Sequence, residues 1–126
     1  MRVAAIAITA LLSGCLAPNV FYTGQLSEHD QSIFAEAASV EGVEVVEWPV
    51  PGVWIVAYGS PLHSGGVTGP SIIFIDRQQP QWTGCPRDQG FLVISRHEIR
   101  HSQGTLEHST WLMSVMHDPA PCWPED

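Results

Sequence analysis

Two histidines four residues apart, His97 and His101, enclose a glutamate, Glu98, in the run His97-Glu98-Ile99-Arg100-His101. On a helix that spacing brings both imidazoles to one face, where they can grip a single metal ion. Glu98 stands one step round the same side and can take a proton from a water held by that ion. The chemistry indicated is zinc-assisted hydrolysis. Downstream, Gly104 follows His101, His108 follows the glycine, and Ser114-Val115-Met116 comes after. A third ligand beyond a glycine turn, with a methionine further on, is far more specific than the five-residue motif alone.

These residues need a helix, and the sequence offers one. Asp88 can cap a helix running to about Gln103, with Phe91, Leu92, Ile94 and Ile99 spread around it so that both sides are covered. Gly104 is placed to end it in the left-handed conformation that glycine tolerates. Upstream, Ser27 with Asp30 resembles a helix start, followed by Ile33, Phe34, Ala37, Ala38 and Val40 at helical spacing up to Gly42. Val43 to Trp48, Val53 to Tyr58 and Ser71 to Asp76 read as three strands, the last apolar enough to lie inside a sheet. Gly59 to Pro70 and Gln78 to Arg87 read as loops. Pro119, Pro121 and Pro124 keep the tail irregular. Trp48, Trp54, Trp82 and Trp111 are expected to fill a small core, with Trp123 packing beside Cys122.

The first residues are of another kind. Met1-Arg2, an apolar run from Val3 to Leu12, and Leu12-Ser13-Gly14-Cys15 read as an export signal too short to span a bilayer permanently. The ending resembles a bacterial lipobox, which implies acylation of Cys15; an ordinary signal peptide cleaved nearby is the alternative. Residues 1–14 are then a signal peptide, 15–26 a lipidated tether and 27–126 the domain. With Cys15 acylated, Cys85 and Cys122 form an even pair in an oxidising compartment. A bond between them would contribute about 3–4 kcal/mol, a large share of the stability of so small a domain.

The chain of 126 residues carries a net charge of −8, from five Lys+Arg against thirteen Asp+Glu, and contains no lysine. Without a basic patch, nucleic-acid binding is excluded as an expectation. A monomer acting on a peptide or protein substrate is expected, in the bacterial cell envelope and tethered to a membrane through Cys15.

The stretch 97–116 resembles the zinc-binding signature of the metzincin metallopeptidases, and within them the matrixin-like branch, through His108-Ser109 and Ser114-Val115-Met116. The resemblance implies an α+β fold with an N-terminal helix, a short mixed sheet, an active-site helix and an irregular tail. It also implies one catalytic zinc ion, Glu98 as general base, Met116 in a turn beneath the metal, and a sheet-edge strand holding extended substrate near Gly59–Pro70. The chain departs from the family pattern at two places. The third ligand in register is Glu107, with His108 one residue later; an extra loop residue would restore His108, and its spacing to Met116 favours it over a carboxylate ligand. Arg100 stands where relatives commonly carry glycine, and a cation there must reach solvent or pair with an acid, Glu107 being one candidate. A zinc-binding surface lipoprotein without catalysis is the alternative, supported by how little chain follows His108 to wall a cleft; a disulfide-stapled lipoprotein without metal is the third reading. His29 is expected to be solvated, His63 to be a plain loop histidine with a second ion as the alternative, and His117, next to Met116, to be aimed away from the zinc. Asp76, a lone carboxylate at a strand end, gives no support for calcium.

Overall fold

The computed structural model describes residues 19–59, 66–68, 71–77 and 86–105. The elements run β1 (Val20–Tyr22), α1 (Glu28–Glu41), β2 (Glu44–Val46), β3 (Trp54–Gly59), β4 (Gly66–Thr68), β5 (Ile72–Asp76) and α2 (Arg87–Ser102). The strands form one mixed sheet in the order β2-β1-β3-β5-β4. Four are mutually parallel, and β4 lies antiparallel on the β5 edge, pairing Val67 with Ile73. This is the expected small α+β domain. None of the described helices is long and apolar enough to cross a membrane.

α1 begins where the sequence signals a start: the Ser27 hydroxyl accepts from the Asp30 amide at 3.2 Å, satisfying one of the free donors of the first turn. It ends at Gly42 with φ +76°. Because β1 and β2 are parallel, the chain must cross over between them, and α1 is that crossover. The two helices pack against each other, α2 also against β5 and β4, and α1 also against β2.

Between helices and sheet lies the apolar core. Along β5 the period-two alternation turns Ile73 and Ile75 inward, each wholly buried. Phe21 of β1 sits 5.8 Å from Phe34 of α1 and stacks on Trp54 at 6.4 Å. α2 is buried continuously from Gly90 to Ile99, which explains why its apolar residues occupy more than one face.

The structure departs from the sequence expectations in four places. Val20–Tyr22, inside the stretch read as a tether, is a strand between β2 and β3, so the fold opens on a strand and not a helix. Three residues are too few to show periodicity, and the pairing on both sides supplies the order. Gly66–Thr68, inside the stretch read as a loop, is β4. Trp48, expected in the core, is 74% exposed, because β2 stops at Val46 and Trp48 lies in the bend beyond it. Finally, α2 is capped by Pro86 in extended conformation; Asp88 lies in its first turn, where a negative charge suits the helix dipole.

Candidate metal centre

α2 delivers His97, Glu98 and His101 to one place. The Nε2 atoms of His97 and His101 stand 3.0 Å apart, with the rings nearly perpendicular at 86°. His101 Nδ1 lies 2.7 Å from the Thr105 carbonyl oxygen. A carbonyl only accepts, so Nδ1 carries the proton, and in the neutral ring Nε2 presents a lone pair towards His97. A metal-binding histidine needs such a partner to fix its tautomer and ring angle.

The partner exists because of how the helix ends. Gly104 has φ +104°, its amide bonds the His101 carbonyl and the Thr105 amide bonds the Arg100 carbonyl, each at 3.0 Å. These two bonds are a Schellman closure, which folds the chain back over the last turn and sets the Thr105 carbonyl beside the imidazole.

Glu98 is buried, and desolvation raises its carboxyl pKa to about 8. Its Oε1 has no hydrogen-bond partner among the described residues, while Oε2 lies 3.9 Å from His97 Nε2. A buried carboxylate without a partner is costly, and a nearby cation or bound water would relieve it. Two nitrogens on one tetrahedral zinc ion stand roughly 3.3 Å apart, so the two histidines need to open only slightly to share one. His97 and His101 therefore fit a zinc ion in donor type and spacing, with one Glu98 oxygen left without a hydrogen-bond partner among the described residues.

Glu107, His108 and Met116 lie outside the described residues, as do Cys15, Cys85 and Cys122, and with them His63, His117, Trp82, Trp111 and Trp123. Arg100 pairs with Glu41 on α1, its Nε 2.9 Å from Glu41 Oε1, and Arg96 Nε lies 2.6 Å from Glu41 Oε2. Sequence reasoning missed Glu41. Two arginines four apart on one helix imply a shared acid nearby, but only the packing of α1 on α2 selects which one.

A second polar cluster joins the starts of both helices. Arg87 donates to both Asp30 oxygens, and the Tyr58 hydroxyl donates to Asp30 Oδ2 at 2.6 Å. Burial alone would raise the Asp30 pKa, but the hydrogen bonds from Arg87 and Tyr58 outweigh it and hold the carboxyl below its ordinary value. His29, largely exposed, bonds Asp88 at 2.7 Å. Although His29, Asp30 and Asp88 place possible ligand atoms within 4.8 Å of one another, the Arg87 guanidinium in their midst opposes a cation. Asp76 is buried at the end of β5. No protein family, no curated protein and no solved structure matches this chain.

Proposed function

We propose that this protein is a zinc-dependent endopeptidase of metzincin type, exported and held to the bacterial cell envelope by a lipid on Cys15. The observation that carries the reading is the pair of imidazole nitrogens 3.0 Å apart beside a buried carboxylate whose Oε1 has no hydrogen-bond partner among the described residues. His97 and His101 would hold the ion, with His108 as third ligand and Glu107 as the alternative. When bound, zinc would polarise a peptide carbonyl and lower the pKa of a water.

The chain's own groups supply the rest. Glu98 would accept the proton of the attacking water and hand it to the leaving amine, and a bound dication beside it would favour the ionised carboxylate that the first half of that transfer needs. The Thr105 carbonyl holds His101 in the tautomer that exposes Nε2. β4, the antiparallel strand at the end of the sheet, has an outer edge on which an extended peptide would align by backbone hydrogen bonds.

A second reading, a zinc-binding surface lipoprotein without catalysis, is favoured by burial. His97 and Glu98 are each 1% exposed, and a catalytic base must be reached by water and substrate. The two separate by experiment on the full-length chain purified in detergent, with zinc content and peptide hydrolysis measured for wild type and Glu98→Ala. Catalysis requires stoichiometric zinc in both and a loss of roughly 10²–10⁴-fold in hydrolysis in the variant. Zinc in both with no hydrolysis in either establishes the binding reading.

A further inference from the structure

Each histidine of the pair is preceded by an arginine, Arg96 before His97 and Arg100 before His101. The four-residue spacing that aligns the histidines therefore aligns the arginines too, one residue step round the helix. Two cationic side chains on residues adjacent to the ligands would oppose binding of a dication, in a helix whose middle is buried and poorly screened. Glu41 reaches both. Glu41, the last residue of α1, binds Arg96 through Oε2 at 2.6 Å and Arg100 through Oε1 at 2.9 Å. The contact is sheltered: the side chains of Arg96 and Glu41 are 7% and 10% exposed, and that of Arg100 is 26% exposed.

We propose that Glu41 is a positioning residue for the metal centre, drawing Arg96 and Arg100 against α1 and offsetting their charge so that His97 and His101 can accept a dication. The inference rests on the zinc reading of those histidines. It assigns the acid a role that packing alone does not require, since a neutral pair could fill the same space between the helices. It also accounts for how an arginine beside each ligand is tolerated.

The test is zinc affinity, measured on the full-length chain in detergent by competition with a chromophoric chelator, with the metal-free fold followed by circular dichroism. Glu41→Gln is expected to weaken zinc binding by roughly 10–100-fold, the range found for residues that support metal ligands. Adding Arg100→Gln should then recover most of that loss, because the second substitution removes a positive charge that Glu41 no longer offsets. A purely structural role predicts the opposite, since losing a second partner does not mend a lost contact. If Glu41→Gln alone fails to fold, because Arg96 is left buried and unpaired, the same comparison is made in an Arg96→Met background. Unchanged affinity in the Glu41 variant, or no recovery in the double variant, overturns the proposal. A wild-type chain that binds no zinc overturns both this inference and the reading on which it rests.

Discussion

At the scale of single residues, Gly104 does more than stop a helix. Its φ of +104° is nearly closed to other residues, although a side chain there would meet nothing within 4 Å. Gly104→Ala is therefore expected to cost about 1–2 kcal/mol through backbone strain alone and, by moving the Thr105 carbonyl, to weaken zinc binding about tenfold; thermal melting and chelator competition read the two effects separately. Glu98 gives a pH signature in the metal-free protein. Its pKa is raised to about 8 by desolvation, so the folded state holds its proton more tightly than the unfolded chain does. The resulting stability is complete below the ordinary glutamate pKa of 4.5 and is lost as pH rises through 8. Metal-free Glu98→Gln should lack that decline and exceed wild type by a few kcal/mol above pH 8. Denaturant midpoints across pH 5–9 that fall equally in both proteins would contradict this. The motif itself was legible in the sequence because ligand spacing on a helix is a local property; Thr105 was not, because it contributes a backbone oxygen that carries no residue-type signal.

At the scale of elements, the starts of α1 and α2 and the end of β3 are joined by Asp30, Arg87 and Tyr58. Asp30 is almost fully buried, so removing its charge leaves Arg87 without its main partner. Since the Arg87 side chain is 31% exposed and can reach water, Asp30→Asn should cost roughly 2 kcal/mol, less than a fully buried pair would. The Asp30 pKa is lowered in the folded state. Its contribution is thus present above the ordinary aspartate value of 3.8 and lost as pH falls through the folded value, so the gap between wild type and Asp30→Asn should close in strong acid. Both helices and the strands β2, β3 and β5 could be read in advance, from the Ser27 cap, the Gly42 and Gly104 stops and the apolar runs. β1 and β4 could not. Each has three residues, and each is a strand because its neighbours supply hydrogen-bond partners. Glu41 was hidden for the same reason: its partners are more than fifty positions away.

At the scale of the whole molecule, the described residues form a mixed sheet with two packed helices, the second carrying His97 and His101. β1 begins at Val20, a few residues after Cys15, so a lipid there would hold the sheet close to a bilayer. Metabolic labelling with a radioactive fatty acid should mark the wild-type chain and leave Cys15→Ala unlabelled; label in both would exclude the anchor. The central claim is that His97 and His101 share a zinc ion. The most direct measurement is zinc content by elemental analysis of the full-length chain after dialysis against metal-free buffer, beside His97→Ala and His101→Ala. About one zinc per wild-type chain and none in either variant is the predicted result. A wild-type chain without zinc, or variants that retain it, would contradict the account.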